Sequence, residues 1–166
     1  MLIDALLPEF DREMGLTRRA LERVPDDQFE WRPHPTSVTL GRLAEHLTEM
    51  PQWAAVTMSQ DGIDTAVGRP DDYVRPSTRA AVLARFDANL KAARPTVVAK
   101  TDAEFNAPWT LRANGKEMFT MPKAAVMRNF VLNHMIHHRG QLLVYLRMLG
   151  VPVPSLYGPS GDEAVN

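Results

Sequence analysis

The sequence predicts an all-α protein: a four-helix bundle with a small β-hairpin ahead of the last helix. Two observations carry that expectation. Four segments repeat apolar residues at helical spacing with charged residues between them, and no long stretch alternates apolar and polar residues as a half-buried strand does. Asn114-Gly115, between two short runs of strand-forming residues, is a strong signal for a tight hairpin turn.

The first helix carries Ile3, Leu7, Phe10, Met14 and Leu21 on one side and is expected to end near Val24-Pro25. Residues 25–37 contain three prolines and form a loop from which Trp31 packs down onto the bundle. Thr39 is the expected N-cap of a second helix that runs to about Met58 and buries Leu40, Leu43, Leu47, Met50, Trp53 and Ala54. Pro51 falls inside this pattern and predicts a kink or break near Glu49-Met50, because it lacks the N–H that continues the hydrogen-bond ladder. A connection rich in Asp, Gly and Pro follows over residues 59–75. Ser77 is the expected cap of the third helix, whose buried side is Val82, Phe86, Leu90, Ala93 and Val97. Trp109–Arg112 and Glu117–Thr120 flank the hairpin turn. The fourth helix is expected to start near Thr120-Met121-Pro122 and to run to Leu149, with Gly150 as its stop. Prolines keep the tail beyond it from being helical, and it is expected to lie along the surface. Two long connections favour crossovers over a simple up-down-up-down course. The whole chain, 1–166, reads as one domain without repeats or low-complexity tracts.

Composition narrows the function. Nineteen basic and twenty acidic residues give a formal charge of −1, so there is no basic footprint of the kind that binds a phosphate backbone, and nucleic acid is not an expected partner. The chain has no cysteine, which excludes disulfides, thiolate nucleophiles and cysteine-based zinc sites. Met1 to Pro8 has no basic start and is interrupted by Asp4, with Glu9 and Asp11 beyond; it is not read as a signal peptide. No apolar run approaches the roughly 20 residues that span a bilayer. The expected location is the cytoplasm, with no membrane partner.

The chemistry resides in the histidines. His134 and His138 stand one turn apart on the last helix, which places their side chains about 5–6 Å apart at Cβ, close enough to share one metal ion. They lie on the same stripe as Phe130, Val131, Gln141, Leu142 and Tyr145. His46 sits among Leu43, Leu47 and Met50 on the second helix. Unpaired buried polar groups cost roughly 1–3 kcal/mol, so three inward histidines on two helices call either for hydrogen-bond partners or for a metal. Pattern alone leaves both open. His137 points about 100° away from His138, as a packing residue or a supporting donor. His34 lies between two prolines and is expected in solvent. The run lacks the glutamate of the H-E-x-x-H protease signature.

His134-x-x-x-His138-Arg139-Gly140-Gln141, followed by Leu146-x-x-Leu149-Gly150-Val151-Pro152, resembles the last helix of the DinB-like (damage-inducible, YfiT-like) family of metal-dependent bundles. Trp31-Arg32-Pro33 leading into Leu40-Gly41-x-Leu43-Ala44-x-His46-Leu47 resembles that family's second-helix signature, and Pro154–Ser160 resembles its tail. The resemblance spans essentially the whole chain. It implies an up-down-down-up four-helix bundle, a divalent metal on His46, His134 and His138, open positions for water or substrate, and a homodimer. It also implies kinship with transferases and isomerases that use low-molecular-weight thiols. The family name comes from damage induction and does not imply DNA binding.

Three protein ligands with a vacant position mark a working metal rather than a structural one. Zinc or nickel is the first expectation for the ion, with iron or manganese as alternatives, because imidazole alone does not choose. An enzyme that activates a thiol cosubstrate is favoured, since the chain offers no sulfur nucleophile of its own. A non-catalytic metal- or small-molecule-binding stress protein and a metal-dependent hydrolase are the alternatives. Glu49, Gln141 and Tyr145 are the candidate catalytic residues: Glu49 to orient His46 or act as a base, Gln141 and Tyr145 to touch ligand. Surface solvation for Glu49 and packing for Tyr145 are the competing roles. Ile136 and Leu143 on the fourth helix point away from the histidine stripe and are the expected dimer contact.

Overall fold

In the computed structural model, which describes residues 2–164, the four apolar stripes form α1 (Leu2–Leu21), α2 (Leu40–Ser59), α3 (Arg79–Val98) and α6 (Asn133–Met148). Their buried faces meet in one core, with Phe10, Met14 and Leu21 from α1, Leu43, Leu47 and Met50 from α2, Val82 and Phe86 from α3, and Met135, Leu142 and Leu146 from α6. α2 packs against both α3 and α6, and α1 packs against the same two helices.

Local chemistry sets most of the helix ends. The Thr39 hydroxyl accepts from the Arg42 amide at 3.2 Å and starts α2 at Leu40. The cap of α3 is Thr78 rather than Ser77, because it is the Thr78 oxygen that meets the Ala81 amide. After α6, Gly150 takes φ 72°, Gly150 N–H bonds to the Arg147 carbonyl and Val151 N–H to the Leu146 carbonyl. That pair of bonds is the Schellman arrangement for which glycine is suited.

Pro51 does not break α2, which continues from Leu40 to Ser59. A proline inside a helix costs about 3 kcal/mol, and fully burying one Leu or Met side chain returns roughly 1.5–3 kcal/mol. Leu47, Met50, Ala54 and Met58 are all buried around it, so packing outweighs the lost hydrogen bond. Pro8 in α1 and Pro95 in α3 are likewise carried inside helices.

The protein is mostly helical but not all-α, and the sheet is more than a hairpin. β2 (Pro108–Ala113) and β3 (Lys116–Pro122) pair antiparallel around Asn114 and Gly115, whose φ angles of 51° and 76° suit the tight turn that the Asn-Gly pair predicts. A third strand, β1 (Gly62–Asp64), comes from the 59–75 connection and pairs parallel to β2, giving the order β1-β2-β3. Gly62 is needed there, since a Cβ would lie 2.2 Å from the Thr110 carbonyl oxygen. Asp64 fastens the end of β1 by accepting from the Ala66, Asn114 and Gly115 amides.

Two helical features also depart from the expectation. A short α4 (Asp102–Asn106) opens with a capping box between Thr101 and Glu104. The last helical run begins after β3, as α5 (Lys123–Val126), and passes through a π-helical stretch, Met127–Leu132, before α6. The tail is pinned rather than laid loosely on the surface. Val153, Pro154 and Ser155 are buried, Asp162 pairs with Arg147, and Glu163 pairs with Arg19 and Arg23. None of the described helices is long and apolar enough to cross a membrane.

Candidate metal centre

α2 and α6 bring three histidines together at the rim of the core. His46 lies among buried Leu43, Leu47 and Met50, with its own side chain 22 % exposed, and His134 and His138 are half-buried one turn apart on α6. The π-helical stretch ends just before Asn133, and its wider turn resets the phase with which α6 presents His134 while burying Val131, Leu132 and Met135.

The three side chains converge through the same ring atom. His134 Nε2 lies 2.7 Å from His138 Nε2 and 3.4 Å from His46 Nε2. The opposite edges of the rings are held by acceptors. Glu49 Oε2 lies 2.9 Å from His46 Nδ1, and Gln141 Oε1 lies 2.7 Å from His138 Nδ1. His134 also has a hydrogen bond with the Phe130 backbone that favours its protonated ring. The acceptors at Nδ1 of His46 and His138 hold the proton on that side and leave their Nε2 lone pairs turned toward His134 Nε2. A cation among the three Nε2 atoms would satisfy all of them at once. One ligand atom from each histidine lies within 4.8 Å of the others, and this is the grouping among the described residues that can hold a metal ion. Burial, followed by the neighbouring His46, lowers the pKa of His134; burial also lowers that of His138, against the opposing bond from Gln141. Both therefore favour the neutral form that ligation requires.

The candidate residues divide in the structure. Glu49 lies against His46, as one of its two expected roles requires, whereas Gln141, expected to touch ligand, bonds to His138. Tyr145 does not reach the cluster: its hydroxyl faces the Val38 carbonyl at 3.4 Å and its ring meets the edge of Trp31 at 5.5 Å. His137 is exposed, with its ring 5.0 Å from that of His138, and His34 is exposed against Thr36.

Sequence reasoning misses the support behind Glu49. Arg69, from the 59–75 connection, bonds to both Glu45 and Glu49. Glu45 is 1 % exposed and also accepts from Tyr73 Oη at 2.6 Å, with Arg42 at 3.3 Å. Burial pushes the Glu45 pKa up, but the bonds from Tyr73 and Arg69 and the charge of Arg42 outweigh it, so the carboxyl is held below its ordinary range. No short-range pattern could reveal this, because Arg69 lies 20 residues from Glu49 in sequence, beyond the end of α2 and past β1.

Arg139, the residue after His138, points into the bundle instead. It is 1 % exposed and donates to the Glu13 carboxylate at 2.6 Å, the Glu13 carbonyl at 3.1 Å, Thr17 at 3.2 Å and Tyr157 Oη at 2.5 Å. This ties α6 to α1 and to the tail at the residue next to His138.

A helical bundle with a small sheet and a three-histidine cluster on two of its helices is thus the class of protein that fold and site define. The family model described as "DinB family" matches residues 2–164, and the chain belongs to that family. It is 29% identical over 164 residues to the protein YrdA of Bacillus subtilis, covering 97% of this chain and 91% of that one. Among solved structures it is similar to a DinB-like protein from Bacillus cereus, with a TM-score of 0.73 and 23% identity over 93% of this chain and 97% of that one. A DinB-like protein of Bacillus subtilis, YjoA, shares the fold with a TM-score of 0.68 and 16% identity, covering 92% of this chain and 97% of that one. At these identities the solved structures speak to fold alone.

Proposed function

We propose that His46, His134 and His138 bind a divalent metal ion, zinc or nickel before iron or manganese, and that the protein is an enzyme activating a low-molecular-weight thiol for transfer or isomerisation. The single observation that carries this reading is the convergence of three Nε2 atoms, two of them on rings whose Nδ1 is already held by an acceptor. A bound divalent ion supplies Lewis acidity and favours the deprotonated form of a thiol at neutral pH.

The chain's own residues do the rest. Glu49 holds the His46 ring by its Nδ1 proton and is itself steadied by Arg69; Gln141 does the same for His138. Glu49 is the group placed to accept a proton beside the cluster. With no cysteine in the chain, the sulfur that reacts must arrive with a cosubstrate. Tyr145 serves the rim, positioning Trp31, rather than the reacting atoms.

Assembly as a two-fold dimer is part of the same proposal. Ile136 and Leu143 line a groove of about 530 Å³ between α6 and the tail, and Val144 and Met148 beside them are each 58 % exposed. The 59–75 and 101–120 segments do not line it; the tail forms its other wall.

The test combines metal analysis with turnover. Protein purified without chelator should carry close to one divalent ion per chain. It should consume a generic electrophile only when a thiol is added. Thiol-independent hydrolysis would assign it to the hydrolases, and tight metal binding without turnover would make it a binding protein. Full metal occupancy in His134→Ala would remove the site.

A further inference from the structure

The face of α2 that carries His46 continues away from the cluster through Glu49, Trp53 and Val56, which follow it at spacings of 3, 7 and 10 residues. These three residues, together with Gln52 and with Gln60 just past the helix end, form one wall of a cleft of about 550 Å³. The other wall is the 59–75 connection, with Ile63, Val67 and Tyr73. The volume falls in the range of small-molecule sites, and Glu49 belongs both to the cleft and to the histidine cluster.

The charges of this cleft are already spent. Glu49 gives one oxygen to His46 and the other to Arg69. Arg69 is bonded to Glu45 and Glu49 and lies 4.3 Å from the centre of the Tyr73 ring. The Asp64 oxygens accept three backbone amides. Tyr73 Oη donates to Glu45 and accepts from Arg85, both at 2.6 Å. What remains for a visitor is apolar surface and two amide side chains: neither Gln52 nor Gln60 bonds through its side chain to any described residue. Val67 is 81 % exposed, an apolar residue left largely open at the mouth.

We infer that this cleft binds the uncharged, apolar part of the substrate, an aromatic or similarly flat group bearing a neutral hydrogen-bonding function that Gln52 or Gln60 meets. The inference rests on the reading of the His46 cluster as the reaction centre, since it is that centre which the cleft adjoins. A charged group would have to be desolvated against ion pairs that have no free partner to offer, whereas an aromatic ring finds Trp53, Val56, Ile63 and Val67. The loop that forms one wall is pinned by β1 at one end and by Arg69 and Tyr73 at the other, so the cleft is preformed rather than assembled on binding.

Calorimetric titration of the metal-loaded protein with three probes of similar size tests it: benzamide, benzenesulfonate and benzyltrimethylammonium. Benzamide should bind saturably in the millimolar range, and each charged probe should bind about tenfold more weakly or worse. Val67→Glu, at an exposed position that folding tolerates, should weaken benzamide about tenfold with metal content unchanged, and Val56→Asp should do the same from the opposite wall. Equal binding of a charged probe would overturn the inference. So would an unchanged benzamide affinity in both variants, or no saturable binding at all. Failure of the metal reading shows separately, as absent metal in a protein that still takes up benzamide.

Discussion

Replacing Arg139 with methionine removes the cation from a pair whose side chains are 2 % and 5 % exposed. Methionine fills much of the same volume, so the loss is electrostatic rather than a cavity. The Glu13 carboxylate would lose its cationic partner and keep the Tyr157 hydroxyl at 2.6 Å, and the Glu13 carbonyl, Thr17 and Tyr157 would each lose a bond as well. Breaking a buried pair on one side costs about 3–5 kcal/mol, because the surviving charge stays buried. For a chain of this size, each kcal/mol moves Tm by roughly 2–4 °C, so Arg139→Met should melt about 6–20 °C below the wild type. Urea denaturation followed by circular dichroism measures the loss directly. Adding Glu13→Leu should restore most of it, since an apolar pair avoids the stranded charge. A loss under about 1 kcal/mol in Arg139→Met would refute the reasoning, for it is the value of a solvated surface pair.

Metal should stabilise the fold by about 2.7 kcal/mol at a free concentration 100 times Kd, and His134→Ala should erase that increment in a thermal melt. Because protons compete for the same imidazoles, and burial lowers the pKa of His134 and His138, metal content should hold through the ordinary histidine value of about 6.5 and fall below it; retention down to about pH 4 would point to carboxylate ligands instead. The Asp162 pKa is lowered by its bond to Arg147 and by the Val153 amide, so its contribution is present above the ordinary aspartate range and is lost only as pH falls through the lowered value. Hydrogen exchange at the Val153 amide should therefore report a docked tail at pH 5 and a loosened one only in stronger acid, while Asp162→Asn loosens it already at neutral pH. Light scattering should show a dimer for the wild type and a monomer for Ile136→Glu/Leu143→Glu; a monomeric wild type at micromolar concentration ends the dimer proposal.

What could be read in advance was what short-range periodicity encodes. The four apolar stripes, the cap at Thr39, the Asn114-Gly115 turn and the stop at Gly150 all act over a few residues, and the structure has each of them. The His134-His138 pair is likewise a statement about one helical turn. The misses share a different origin. β1 is three residues long and exists through parallel pairing with a strand that begins more than forty residues later, so it leaves no periodic trace. The break expected at Pro51 ignored how much of its neighbourhood is buried. Of the two roles open to Tyr145, ligand contact or packing, the structure shows packing against Trp31 of the loop before α2, whose position is not encoded by spacing. The α4 start was legible, since Thr101-x-x-Glu104 is a capping-box pattern, but its five residues are too few to register as a periodic segment.

The 59–75 connection contributes one wall of the cleft and the arginine behind Glu49, yet none of the three histidines. It enters and leaves between α2 and α3, which pack directly on each other, and its grip on the bundle is a three-residue strand and a handful of polar bonds, among them the Tyr73 hydroxyl between Glu45 of α2 and Arg85 of α3. A lineage can therefore rewrite the lining of the cleft by insertion or substitution in this one segment while α2 and α6 keep the three histidines. Change in the cleft is thereby decoupled from preservation of the cluster.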